Sequence, residues 1–139
     1  MTARACRGQV LAFFALVLSI VLLPVAAYAV DATVVAGREA DLQAATAQAA
    51  EAAAQRLNIS ALRTTGALTL DPAAAGTDVA ETLLEEEPSA RVDLYAVTGT
   101  EVTVNTSELV MLPFSVFTQA VNLHAHATAR LVAGYDRPS

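Results

Sequence analysis

The sequence contains no lysine and no tryptophan, and its only cysteine is Cys6. A single cysteine excludes an intrachain disulfide. Aromatic residues make up only 5% of the chain, and much of its 55% apolar content is alanine, so the core of any water-soluble part must be thin. The formal net charge of -6 argues against nucleic acid as a partner, because phosphate binding requires clustered cations. A length of 139 residues is enough for one domain and not two.

Charge is also absent from a long stretch near the N-terminus. No charged residue occurs from Gly8 to Val30. As a helix, residues 9–30 would extend roughly 30 Å, which is the thickness of the hydrocarbon core of a bilayer. We therefore predict a transmembrane helix over 9–30, with the lipid bilayer as its partner. Its anchoring residues are Leu11, Phe13, Phe14, Leu16, Leu18, Ile20, Leu22, Leu23 and Pro24.

The charges that flank this segment predict its orientation. Arg4 and Arg7 precede it and Asp31 follows it. Because positive charges remain on the cytoplasmic side, residues 1–8 are predicted to be a cytoplasmic N-terminus and residues 31–139 an extracytoplasmic α+β domain.

The same segment has a second interpretation as a cleaved signal peptide. Ala27-Tyr28-Ala29 fits the small-residue pattern of a signal peptidase site, and a cut after Ala29 would release a secreted or periplasmic binding module. However, residues 31–58 are rich in Ala, Gln, Glu and Arg, which are strong helix formers. A cleaved peptide has no need to continue into a downstream helix, so an uncleaved anchor of one long helix, about 45 residues, is the preferred interpretation.

The predicted helix 31–58 carries one apolar stripe. Its members recur at spacings of three, four and seven residues, as one face of a helix requires. Small side chains allow close approach but bury little area, so the stripe is expected to pack on the domain's own sheet, on another membrane protein or on both. Such packing could also join copies of this chain. The stripe consists of Val35, Leu42, Ala45, Ala49 and Ala52.

The remaining chain predicts a short helix followed by a sheet. Leu62–Leu70 is assigned to a short strand, and Asp71-Pro72 is a helix-start signal that opens a helix over 72–87. From Arg91 the pattern has period two, so residues 91–132 are predicted to be mainly β, with a turn at Thr98-Gly99-Thr100. The fold class is therefore α+β: a long N-terminal transmembrane helix extending into the outer domain, a short second helix, and a small antiparallel sheet of three to four strands.

Few residues suggest chemistry. His124 and His126 share one face of a predicted strand, but a zinc site needs further ligands, and a polar outer face is the simpler interpretation. The acidic run Glu85–Glu87 is interpreted as a solvated helix end. The apolar stretch 108–118 could be a buried loop, a short strand or a membrane-surface contact. We predict no catalytic residues, no metal site and no cofactor, and hence no enzyme.

Three short motifs carry a resemblance to a known family. Arg7-Gly8-Gln9 opens the apolar run, Ala29-Val30-Asp31 closes it, and Leu42-Gln43-Ala44-Ala45 begins an alanine series that extends to Ala53. In these features the chain resembles the TadE/TadG-like proteins of tight-adherence (Tad, or Flp) pilus systems. The resemblance covers about residues 7–57. It implies a structural, single-pass component of pilus assembly in the bacterial cytoplasmic membrane, with other membrane proteins of a pilus or secretion apparatus as partners.

Two departures from the family pattern bear on processing. The alanine run of the family often contains an aspartate, where this chain has Ala47 or Gln48. Pilin-like members are cut after a glycine that has a glutamate five residues later; Gly8 is the candidate glycine here, but its fifth following residue is Phe13. The resemblance therefore favours an unprocessed, TadG-like protein over a pilin-like subunit, with Gly8 and Ala29 as the two candidate cleavage positions.

Overall fold

The computed structural model describes residues 5–115 and 118–131, with side chains from Val10 onward. The protein is α+β, as predicted: three helices are followed by an open antiparallel sheet of three strands. The elements are α1 (Ala5–Ala54), α2 (Ile59–Thr65), α3 (Pro72–Glu86), β1 (Arg91–Thr98), β2 (Glu101–Met111) and β3 (Ala120–Arg130).

The chain forms two compact units. The first contains the N-terminal part of α1 up to Ala36 together with Met111–Val121. The second contains Gly37–Val110 together with the chain from Asn122 onward. Helix α1 therefore contributes to both units. The sequence had instead suggested a boundary at Asp31, between the anchor and the outer domain.

Helix α1 is longer than a bilayer requires. It continues through Pro24, which has no N–H to donate to the carbonyl of Ile20. The helix ends at Ala54, before the predicted end at Asn58. It ends there because Leu57 forms an isolated antiparallel bridge with Leu70, which draws the backbone out of the helical path.

The strand predicted over Leu62–Leu70 is wrong: residues 62–65 belong to helix α2, residues 66–69 have no regular structure, and Leu70 forms an isolated β-bridge with Leu57. Asn58 caps the helix by accepting a hydrogen bond from the Ala61 N–H at 2.9 Å. Gly66 ends it in the left-handed conformation with φ of 71°, which a residue without Cβ adopts at no steric cost. The cap residues on both sides of a short segment therefore outweigh its β-branched content.

Helix α3 begins as the sequence predicts. The Asp71 side chain accepts hydrogen bonds from the N–H groups of Ala73 and Ala74, and Pro72 occupies the first helical turn, where its missing N–H costs nothing. The helix ends at Glu86, and the backbone N–H of Glu87 still bonds to the carbonyl of Leu83. Its buried side chains, Ala75, Val79 and Leu83, form one stripe.

The three strands lie in sequence order. β1 pairs antiparallel with β2 through the predicted tight turn, where Gly99 has φ of 63°. β2 extends as far as Met111, so the first residues of the apolar 108–118 stretch are strand. Val116 and Phe117 of that stretch lie outside the described residues. On β3 the predicted alternation is present: Leu123, Ala125 and Ala127 are buried, and the residues between them are exposed.

The core of the second unit is thin because alanines supply one side of it. Helix α1 contributes five buried alanines, which share a cluster with valines of β2 and with the apolar stripe of α3. An alanine buries little apolar area, so each contact stabilises the fold by much less than a leucine would. The cluster consists of Ala45, Ala49, Ala50, Ala53, Ala54, Leu70, Ala75, Val79, Leu83, Val102, Val104 and Ala127.

A buried pair of hydroxyls joins α1 to β2. Thr46 and Thr106 are 0% and 1% exposed, and their Oγ1 atoms lie 2.6 Å apart. The Thr46 hydroxyl donates to the carbonyl of Leu42 at 2.7 Å. A hydroxyl has one hydrogen, so Thr106 must be the donor of the bond between the two threonines.

This direction of donation predicts unequal effects for two isosteric substitutions. Thr46→Val leaves the buried Thr106 hydroxyl without an acceptor and should lower the free energy of unfolding by about 1–3 kcal/mol. Thr106→Val leaves Thr46 bonded to Leu42 and should cost only about 0.5–1.5 kcal/mol. Urea titration of the full chain in detergent micelles, followed by circular dichroism, measures both.

The double variant serves as the control for this pair. Because it removes both hydroxyls, it should be less destabilised than the sum of the single variants. Equal costs for the two single variants, or strict additivity in the double variant, would contradict the assigned direction.

Tyr95 on β1 makes the contact with α3. Its hydroxyl donates to the carbonyl of Pro72 at 2.8 Å. Its ring packs beside Gly76, where an added Cβ would lie 3.4 Å from Cε1, in ordinary van der Waals contact. Burial, and to a lesser extent the nearby Asp71 carboxylate, raises the pKa of Tyr95, because both disfavour the phenolate.

The raised pKa predicts a loss of stability at high pH. In the unfolded chain Tyr95 ionises near its ordinary pKa of about 10, and in the folded chain it ionises only at higher pH. Its contribution is complete below about pH 10 and is lost as the pH rises through the folded-state value. The urea midpoint should therefore fall above about pH 10, and Tyr95→Phe should flatten this fall. A fall of the same size in the Tyr95→Phe variant would contradict the assignment.

Candidate functional site

The predicted anchor is an exposed apolar surface. Every side chain from Val10 to Ala26 is exposed, and the exposed fraction of the large apolar ones runs from 40% for Val17 to 72% for Leu11. Among the described residues, one helix (Val10–Ala54) is long and apolar enough to cross a membrane, a test that a signal sequence also passes. All nine predicted anchoring residues, Leu11 to Pro24, belong to this exposed surface.

The outer end of the apolar segment contacts the chain after β2. Asp31 is 5% exposed, and its Oδ1 accepts a hydrogen bond from the Phe114 N–H at 3.1 Å. The Phe114 residue and five helix residues on the N-terminal side of Asp31 together line an apolar groove of about 460 Å³. The helix residues of the groove are Leu23, Pro24, Ala26, Ala27 and Val30.

The predicted packing stripe is only partly the buried face of α1. Leu42, Ala45 and Ala49 are buried, whereas Val35 and Ala52 are half-buried. The burial extends to neighbours that the stripe omitted, namely Thr46, Ala50, Ala53 and Ala54. The spacing had indicated the direction of the face, but the contact is wider because alanines allow the sheet to approach closely.

Leu42 and Gln43, which belong to one of the motifs behind the family resemblance, both make contacts in the second unit. Leu42 is fully buried, and Gln43 donates through Nε2 to the carbonyl of His126 at 2.9 Å. β3 is an edge strand, so alternate carbonyls along it have no partner strand. Gln43 therefore satisfies an edge carbonyl and ties α1 to β3.

A buried acidic cluster lies between α1, the end of α3 and β2, and the sequence reasoning missed it. Glu87 and Glu108 are 7% and 4% exposed. The Ser89 hydroxyl lies 2.7 Å from Glu87 Oε1 and 2.8 Å from Glu108 Oε1. Arg38 approaches the same oxygens at 3.3 and 4.0 Å, and Glu108 Oε2 is buried without a hydrogen-bond partner.

This cluster corrects the interpretation of the acidic run. Glu85 and Glu86 are exposed, as a solvated helix end requires, but Glu87 turns inward. The period-two pattern of β2 contained the missing signal, because Glu108 has the same parity as the buried Val102, Val104 and Thr106.

The two histidines lie on the exposed face of β3. His126 Nδ1 contacts Asn105 Oδ1, and His124 Nδ1 lies 3.8 Å from Asp93 Oδ2. A cavity of about 240 Å³ lies between them. Within residues 5–115 and 118–131, no three His, Cys, Asp or Glu side chains come together as metal ligands.

The two candidate cleavage positions lie in regular helix. Gly8 and Ala29 both belong to α1, and Ala29 precedes the buried Asp31 by two residues. Arg4 and residues 132–139 lie outside the described residues. The position of the Arg4 charge before the anchor and the end of the β region predicted over 91–132 therefore stay predictions.

The unpaired oxygen of Glu108 yields a prediction about stability. Glu108→Gln removes a buried negative charge beside another carboxylate, so it should raise the free energy of unfolding by about 1–3 kcal/mol. The exposed Glu86→Gln is the matched control and should change it by less than about 0.5 kcal/mol. Urea unfolding measures both variants. Destabilisation by Glu108→Gln would mean that the Glu108 charge is fully compensated by its neighbours.

Comparison with known proteins finds no counterpart for this chain: no protein-family model, no curated protein and no solved structure matches it. Its function must therefore be argued from the exposed apolar part of α1 and from the contacts of its two units.

Proposed function

We propose that this chain is a single-pass membrane protein with a structural role, anchored by residues 9–30 of α1. The N-terminus is cytoplasmic and the second unit lies on the other side of the membrane. The observation that carries the proposal is the exposure of every side chain from Val10 to Ala26 on an apolar helix. A surface of this kind is unfavourable in water and stable in hydrocarbon, where a helix satisfies its own backbone hydrogen bonds.

Two observations support an uncleaved anchor over release after Ala29. Signal peptidase would have to cut within regular helix. The cut would also fall beside Asp31, whose buried carboxylate holds the Phe114 backbone. Both features give the residues around Ala29 a role in the first unit.

The resemblance to TadE/TadG-like proteins suggests the setting of this role. We place the chain among the membrane components of a Tad-type pilus or secretion apparatus, acting through helix packing and contacts of the outer unit, without catalysis. The leucine-glutamine pair and the alanine face support this placement, because they hold the C-terminal part of α1 against the sheet of the second unit.

Topology is testable because Cys6 is the only cysteine. In intact cells a membrane-impermeant maleimide should not label the wild-type chain until the membrane is opened. A Cys6→Ser/Glu86→Cys variant, with its cysteine on the exposed end of α3, should be labelled at once. The reverse pattern would contradict the orientation.

Two further measurements separate the alternatives. Mass spectrometry of the mature N-terminus should give Met1 or Thr2; a start at Val30 would identify the secreted module, and a start at Gln9 would identify prepilin-type processing. Purification from detergent-solubilised membranes should recover other pilus-apparatus proteins. An isolated monomer would remove the basis for the Tad assignment while leaving the anchor intact.

A further inference from the structure

The loop after β2 presents an apolar surface at the outer end of the anchor. Within the first unit, Met111 is 68% exposed and Phe114 is 58% exposed. Neither side chain is needed for the core of the second unit, whose buried cluster does not include them. An aromatic ring left exposed beside a membrane-spanning helix requires an explanation in terms of its surroundings.

The contacts of Phe114 place its ring at the level of the spanning segment. Its backbone is tied to Asp31, the first charged residue after the apolar run. Its side chain lines the same apolar groove as helix residues between Leu23 and Val30. From Leu23 to Asp31 the helix rises by about 12 Å. If residues 9–30 span the hydrocarbon, a ring that shares a groove with residues 23–30 lies at the depth of the lipid.

Several backbone groups of the loop have partners that suit such an environment. The Leu112 N–H donates to the carbonyl of Gln119 at 3.0 Å, Pro113 has no N–H, and the Phe114 N–H donates to Asp31. The Ser115 hydroxyl donates to the Leu112 carbonyl at 3.0 Å. Irregular backbone enters a membrane boundary only when its polar groups are paired, because no water is present to replace the missing bonds.

From this geometry we infer that residues 111–115 form a second membrane contact, in which the Phe114 ring inserts into the outer leaflet beside α1. The inference rests on the proposed anchoring of α1. The occupant of the groove is a lipid acyl chain, because the groove is continuous with the exposed apolar surface of Leu23, Pro24 and Val30. Such a contact limits rotation and tilt of the outer part of the helix, because the chain then meets the bilayer at two points.

The absence of tryptophan makes the test direct. Three full-length variants, each with one tryptophan, are reconstituted into phosphatidylcholine vesicles that contain lipid brominated in the acyl chain. Phe114→Trp reports on the loop, Ile20→Trp on the middle of the anchor, and Ile59→Trp on exposed α2. Emission is then titrated with acrylamide, which quenches from the water.

The expected result is loss of emission to brominated lipid, with protection from acrylamide, for both Phe114→Trp and Ile20→Trp, and the opposite for Ile59→Trp. If Ile20→Trp is quenched by lipid and Phe114→Trp only by acrylamide, the loop inference is overturned while the anchor stands. If neither is quenched by lipid, the anchor itself fails. Protection of Phe114→Trp from both quenchers would mean that protein covers the loop, which also overturns the lipid contact.

A second measurement guards against disturbance by the larger ring. Phe114→Cys on a Cys6→Ser background carries a spin label, whose accessibility to oxygen and to a water-soluble nickel complex reports depth independently. Oxygen should relax the label more than nickel. Greater accessibility to nickel would overturn the inference even if the tryptophan variant does not fold.

Discussion

The close contact between the alanine face of α1 and the valines of β2 is the interaction on which the second unit depends. Alanine side chains allow the helix to approach the sheet, but each buries little area, so the contact alone is weak. α3 compensates by adding Ala75, Val79 and Leu83 to the same cluster. The buried hydrogen bond between Thr46 and Thr106 fixes the position of the helix along the strand, because the two hydroxyls meet in only one relative placement of α1 and β2.

A thin core leaves room for polar groups, and the buried carboxylates of this protein lie in two different environments. Asp31 has a backbone donor positioned for it, which offsets part of the cost of its burial. Glu108 lies beside Glu87, shares one serine hydroxyl with it and retains an unpaired oxygen. The first carboxylate holds a loop to the anchor. The charge of the second is offset in part by Arg38, which lies 4.0 Å from Glu108 Oε1.

Much of the fold could be predicted because the responsible signals are local. Asp71-Pro72 starts α3 through its own side chain and ring, and the alternation after Arg91 follows from the pleat of a strand. The error at Leu62–Leu70 was also local: β-branched residues were given more weight than the caps at Asn58 and Gly66. Two cap residues on either side of a seven-residue segment were sufficient for a helix.

The sequence by itself determined the apolar segment before Asp31, the helical character of the chain beyond it and the parity of β2 and β3, because these depend on neighbouring residues and on helical or pleated spacing. The tertiary structure decided which carboxylates are buried, how wide the packing face of α1 is, and that Phe114 lies against the anchor. These contacts join residues as far apart as Asp31 and Phe114, 83 positions along the chain. No local pattern encodes them, because they depend on how one element lies along another.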